Sequence, residues 1–407
     1  MTSLSTISHP KITFATLVLL VAFVAFRSIE TPLSSWPLHN DFAHYYLSSS
    51  KLLATENPYS TELEYQKNGF INRPEIKIAT NPPALIVALM PIVLFNPDIG
   101  FMLWTVLQLL SLWGAIFYAV KIADFNLSLL HKVGLFFAAL VTYPCITHLE
   151  HGQSQLLISF LITYGIWLLK TEKTSRFGLF LWGLATSLKL FTWPLAIVSF
   201  AFAGSLGFLW FVAGFAILNL TAFFVLGAAP FYDFLFSVIP YIASTIFKFN
   251  SNNSLEGAIV YSLQAFGSSE LRLNLAANFL PILFVSGAAI AFLSVGVLSL
   301  RMKASYQDIS ITIFLVSLIC LLFSPTAWAH YMVLTFPILV YLLCLFIKSH
   351  DPKLHPVKLL IGYSLVGLTQ GPVKNMALEW QLIGAWWGVF TIFYVIFLLF
   401  SAKRLQE

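Results

Sequence analysis

The sequence predicts an all-α polytopic membrane protein, a bundle of about ten to twelve transmembrane helices, one of them broken, with a polar cavity at the outer leaflet. Three observations carry this. Of 407 residues, 58% are hydrophobic and 10% charged, with a mean hydropathy of +0.84. Soluble domains carry about 25% charged residues, so most of this surface must face lipid. Apolar runs of spanning length, about 20 residues, recur along the whole chain. The charges between those runs are also distributed unequally.

Expected spans are 12–28, 99–120, 133–147, 153–170, 207–227, 277–300, 308–324, 328–348, 357–371 and 384–402. The first begins after Lys11 and is followed by Arg27 and Glu30 with no small-x-small cleavage site, so it reads as an uncleaved helix. Segment 82–95, after Asn81-Pro82-Pro83, is too short to cross and reads as interfacial or re-entrant. Segment 177–204 is long and apolar, but Lys189 and Pro194 interrupt it. A lysine facing lipid at mid-helix is costly, which predicts a broken helix beside a cavity. Such a helix enters at Phe177, turns near Lys189 to Pro194 and returns to the same side by Gly204.

Placed on this layout, one side collects thirteen Lys and Arg, among them Lys173, Arg176, Arg301 and Lys303, against five acidic residues, a net +8. The other side holds the remaining nine cations and twelve anions, a net −3. By the positive-inside rule the first side is cytoplasmic, and both termini with it. The long polar connections, 29–98 and 228–276, then lie outside. They carry no lysine cluster, which argues against a nucleic-acid surface. Cys145, Cys320 and Cys344 sit singly in apolar stretches, giving neither a disulfide framework nor a metal spacing. The whole chain, 1–407, reads as one integral-membrane domain.

The residues that could carry chemistry gather on the outer side. Asp41 heads Asp41-Phe42-Ala43-His44-Tyr45-Tyr46, just beyond the first span. It serves equally as a helix N-cap and as a base among His44, Tyr45 and Tyr46, and local features alone do not separate the two. Lys189 could snorkel to the interface; a cation at a helix break is also placed to hold a phosphate. The turn from His148 to Gln155 offers Gln153 and Gln155 for hydrogen bonds to a sugar or headgroup. Its histidines lack metal-ligand spacing, so no metal is expected. Asn253 and Ser254 open the apolar stretch at Leu255 as a cap or as substrate contacts. His330 follows Ser324-Pro325-Thr326-Ala327-Trp328 at the outer start of a span.

In this order the motifs resemble glycosyltransferase family 87 of the C-type membrane superfamily, whose members use polyprenol-phosphate mannose. Asp41-Phe42-x-x-Tyr45-Tyr46 and Asn57-Pro58-Tyr59 are similar to the family's outer-loop motif, and Pro82-Pro83 with Met90-Pro91 to its proline-flanked helix. Gly152-Gln153 is similar to its Gly-Gln turn, and Gly183 to Lys189 with Pro194 to its lysine segment. Asn253-Ser254-Leu255 and Ser324-Pro325 through Trp328-x-His330 are similar to its later motifs. The family often has Tyr where this chain has Asn81, His where it has Tyr331 and Arg where it has Tyr261. The resemblance implies a C-type glycosyltransferase bundle that moves a hexose, mannose in the family, from a polyprenyl-phosphate sugar to a lipid or glycan acceptor. It implies no cofactor and a bacterial inner-membrane location with the site facing the periplasm.

The chemistry fits these residues. A lipid phosphate departs as a stable anion, so the two-carboxylate arrangement of glycoside hydrolysis is unnecessary. One base must take the acceptor proton and cations must hold the phosphate. Asp41 is the expected base, and Lys189 and His330 are the expected phosphate partners. The rival from another class is a transporter or flippase, where broken helices also occur. No second break pairs with that in 177–204, and the polar residues sit at one leaflet.

Overall fold

A computed structural model describes residues 41–60, 63, 78–170, 175–241, 254–266, 289, 293, 306–324, 327, 329–349, 356–367 and 378–403. No strand occurs among the described residues, and the helical class holds. The expected span 12–28 lies outside them, as does 277–300 apart from residues 289 and 293. Among the described residues, four helices are long and apolar enough to cross a membrane, or five if one bent pair counts as a single span.

α1 (Asp41–Leu53) and the short α2 (Pro83–Ala88) lie ahead of the first long helix. Ser49 Oγ donates to the Ile86 carbonyl at 2.8 Å and ties the two together. α3 (Pro97–Ile122) starts where Asn96 caps it, its side chain accepting from Ile99 N–H at 3.0 Å, with Pro97 at the first position. The segment expected as one span over 133–147 is instead two helices, α4 (Leu129–Leu140) and α5 (Tyr143–His151), bent by 71°. Pro144 explains the bend, since a proline cannot continue the ladder of the preceding helix but fits a first turn. Gly152, at φ +62°, ends α5 in the left-handed conformation that glycine adopts without cost.

α6 (Gln155–Lys170) then runs beside α3 in the same direction. Trp104 meets Gly152, Gln108 meets Leu157, and Tyr118 stacks among Phe160, Tyr164 and Trp167. At the far end Lys170 reaches the Ile122 carbonyl at 2.6 Å and Asp124 at 2.7 Å.

α7 (Ser175–Leu188) stops at Lys189, whose φ of −148° and ψ of 113° are extended, and a one-turn 3₁₀ segment, Leu190–Thr192, follows. α8 (Leu195–Leu226) resumes after Pro194 and contains non-helical backbone at Ala203 and Gly204. A Cβ placed on Gly207 would fall 2.5 Å from the Ser199 carbonyl oxygen. Eight residues of straight helix would separate those positions by about 12 Å, so the chain reverses at Ala203–Gly204. The expected break at Lys189 and return by Gly204 is therefore a helical hairpin, and the segment expected as 207–227 continues from it. Gly183 and Gly214 let α7 and the returning arm approach until a Cβ on either would lie 1.9 Å from the opposing carbonyl. Small residues allow such backbone contact between membrane helices.

After α9 (Ala228–Asp233) and α10 (Leu255–Phe266), α11 (Tyr306–Leu322) precedes a 3₁₀ segment, Ala329–Thr335. That segment leads directly into α12 (Phe336–Ser349); α13 (Pro356–Gly367) and α14 (Leu378–Lys403) complete the bundle. The 3₁₀ segment is buried throughout and packs against α5 and α6, so His330 and Tyr331 come to the α5–α6 turn.

Candidate active site

Two elements meet on one amide, that of Gln153 in the turn between α5 and α6. α1 supplies Asp41 and Tyr45, one helical turn apart and therefore on one face. Phe42 packs on Phe101 at 5.3 Å and Tyr45 on Trp104 at 6.5 Å, which seats α1 against α3. The seat is tight: a Cβ on Gly152 would lie 2.6 Å from Phe42 Cβ. Glycine is thus required at 152 by backbone angle and by space together, and the close approach brings Asp41 to Gln153.

Gln153 Nε2 donates to Asp41 Oδ2. Its Oε1 accepts from Tyr45 OH at 2.8 Å and from Lys189 Nζ at 3.3 Å. The orientation is dictated chemically, because a carboxylate only accepts and an ammonium only donates. Gln153 therefore bridges an anion and a cation with its amide dipole aligned between them. Burial pushes the Tyr45 phenol up to about 12, with Lys189 opposing and Asp41 reinforcing the rise. Tyr45 consequently stays a neutral donor at ordinary pH.

Lys189 projects from the break. Its ammonium also lies 3.4 Å from Tyr331 OH and 5.4 Å from the centre of that ring. Asp41 has a second neighbour in His151, whose Nδ1 is 3.9 Å from Oδ2. The His151 ring lies 5.8 Å from that of His330, which in turn is 5.1 Å from Tyr331. Asp41, Tyr45, Gln153 and Lys189 thus form one cluster, with His330 at its edge. The side chains of Asp41 and His151 remain 14% and 19% exposed, enough for a ligand to reach them.

The other expected site residues lie elsewhere. His44 Nε2 accepts the Thr80 N–H at 2.9 Å, which leaves the ring proton on Nδ1 and commits the side chain to the loop before α2. Tyr46 OH donates to the Phe95 carbonyl at 2.9 Å. Ser254 Oγ accepts from Gly257 N–H at 3.1 Å, the geometry of a cap on α10. Gln155 is fully buried, and neither of its amide atoms has a hydrogen-bond partner among the described residues. Asn253 lies outside those residues.

Two neighbours of the cluster were not among the expected site residues. His151 directly precedes Gly152-Gln153, and Tyr331 directly follows His330. Adjacency to a chosen residue was the available signal in both cases. Among the described residues no group of three or more His, Cys, Asp or Glu is arranged to hold a metal ion.

The family model of glycosyltransferase family 87 matches residues 79–325, more than half of the chain. The match spans Gln153, Lys189 and Ser254; it begins after Asp41 and ends before His330. No curated protein and no solved structure matches. From the family match, carried on an apolar helical bundle, the chain belongs to glycosyltransferase family 87 and is a membrane glycosyltransferase.

Proposed function

We propose that this protein transfers a hexose, mannose in our reading, from a polyprenyl-phosphate sugar to a lipid or glycan acceptor at the outer face of the membrane. The observation that carries the proposal is the meeting of Asp41 and Lys189 on the two ends of one amide. A carboxylate able to take a proton and a cation able to bind phosphate are the two functions this reaction needs.

In this reading Asp41 accepts the proton of the acceptor hydroxyl as that oxygen attacks the anomeric carbon. The bond from that carbon to the phosphate oxygen breaks, and the electron pair leaves with the lipid phosphate. Lys189 and His330 hold the phosphate as its charge grows. A single displacement inverts the anomeric centre. Tyr45 and Gln153 keep the carboxylate and the ammonium in register, so that neither must reorganise during the step. The transporter reading has less support, since the family match is to transferases.

Purified protein in lipid vesicles, given labelled polyprenyl-phosphate mannose and membrane lipid extract, tests the activity. Label should pass to an acceptor in the parent and fall at least about a hundredfold in Asp41→Asn, the order associated with losing a positioned base. Asparagine keeps most capping ability, so equal transfer by the two would reduce Asp41 to a cap. The outer location has its own test, motivated by the +8 to −3 charge division. Reporters fused after Lys173 or Arg301 should read cytoplasm, and those near Glu64 or Glu270 periplasm. Glu64 inside the cell would remove the outer-face mechanism.

A further inference from the structure

Beneath the turn that carries Gln153 lies a side chain that the mechanism above leaves unused. Gln108 sits within α3 and is 1% exposed. Its Oε1 accepts the backbone N–H of Leu157 at 3.2 Å and lies 3.3 Å from His148 Nε2. Leu157 N–H can only donate, so Gln108 must present its oxygen to this pair. That oxygen in turn requires His148 to carry its proton on Nε2. A single atom of α3 thus holds the last turn of α5 and the first turn of α6.

Gly152, Gln153 and Ser154 are suspended between those two anchors. The carbonyl of His148 accepts the N–H of Gln153 at 3.1 Å, extending the hold to the bridging residue itself. One turn earlier on α3, Trp104 donates its indole N–H to the Gly152 carbonyl at 2.7 Å. Leu157 belongs to the first turn of α6, whose N–H groups have no partner within the helix. A polar residue inside an apolar span is costly unless it is paired; among the described residues the hydrogen bonds of Gln108 are those its oxygen makes to this turn, and its Nε2 has none.

We propose that Gln108 is a positioning residue for the transfer reaction, fixing the Gly152–Ser154 turn and, through Gln153, the spacing between Asp41 and Lys189. The inference rests on the reading of Asp41 as base and Lys189 as phosphate partner. The charged and titratable groups around Gln153 are Asp41 and Tyr45 from α1, Lys189 from the break, His151 and His148 from α5, and Tyr331 and His330 from the 3₁₀ segment. A hydrogen bond donated to a carboxylate favours its ionised form. Loosening the turn therefore moves the acid limb of the pH–rate profile to higher pH, whereas a loss of folded protein lowers the rate equally at every pH.

The experiment uses the full chain in lipid nanodiscs as parent, Gln108→Met, Gln108→Glu and Gln153→Leu. Glutamate keeps a carbonyl oxygen acceptor in either protonation state; methionine keeps the volume and removes it. Two readouts are taken: hydrogen–deuterium exchange over residues 149–158, and kcat/KM against pH with polyprenyl-phosphate mannose. In Gln108→Met the turn amides should exchange at least about tenfold faster. Its kcat/KM should fall about tenfold through misplacement of the reacting groups, with the acid limb displaced in the same direction as in Gln153→Leu. Gln108→Glu should match the parent in exchange over the turn. Unchanged exchange in Gln108→Met overturns the proposal whatever the activity does. Faster exchange with an unmoved limb also overturns it, provided Gln153→Leu moves that limb. If Gln153→Leu leaves the limb in place, or no variant turns over the donor, the reading of Asp41 fails and exchange alone decides the positioning claim. Should Gln108→Met not insert, Trp104→Phe removes one hydrogen bond to the same turn and takes its place in the comparison.

Discussion

Two interruptions of the helical ladder meet at the same end of the bundle, and they are held by opposite means. The turn at Gly152–Ser154 is held from outside, by Trp104 and Gln108 of α3 and by Phe42 of α1. The break at Lys189–Pro194 holds itself. Thr192 returns its N–H at 3.5 Å and its hydroxyl at 3.2 Å to the Lys189 carbonyl, and Thr186 and Thr192 join at 2.9 Å. The lesson concerns what can be changed cleanly. The Lys189 side chain can be altered without disturbing the backbone that carries it, because none of these bonds involves it. The turn has no such independence, and a change anywhere in its scaffold reaches Gln153.

Asp41→Asn, with its loss of at least about a hundredfold, is the largest effect expected, and it falls on the turn's side of the comparison. Gly152→Ala should come next. A non-glycine residue in the left-handed region costs about 1–2 kcal/mol, and the new Cβ would also collide with Phe42. Activity should fall with the melting temperature, since the same displacement moves α1 and Asp41. A variant as active and as stable as the parent would show that α1 is not seated on the turn as described. His330→Asn should be milder, because asparagine retains a hydrogen-bond donor but cannot become cationic. If the cation matters, the parent should lose activity as pH rises through the histidine range and converge on the variant. Two profiles that stay parallel across that range would assign His330 a neutral role.

Much of the fold and part of the cluster were legible in the sequence. The cost of a lysine in lipid pointed to a break at Lys189, and the Gly-Gln pair marked the turn. What was less legible has physical reasons. The chosen α1 residues included His44 and Tyr46; at 100° per residue Tyr46 lies well off the face of Asp41, while His44 and Tyr45 flank that face on its two sides. His44 and Tyr46 point to the loops that they brace. The bend in 133–147 could be read from Pro144, but hydropathy alone averages across it. Gln108 and Trp104 carried a weaker signal. Nothing in an apolar stretch says which polar residue meets the orphan N–H groups of a helix whose partner lies elsewhere in the chain.

The division of labour between the break and the turn is the central claim, and binding of polyprenyl phosphate lacking its sugar tests it most directly. Lys189→Met keeps the apolar stem and removes the charge. A hydrogen bond to a charged group contributes about 1.5–3 kcal/mol, so affinity for this ligand should fall about 10- to 150-fold. Asp41→Asn should bind it as tightly as the parent or more tightly, because the base does not hold the phosphate. Equal binding by Lys189→Met and the parent would contradict the account and leave the lysine as a snorkelling side chain.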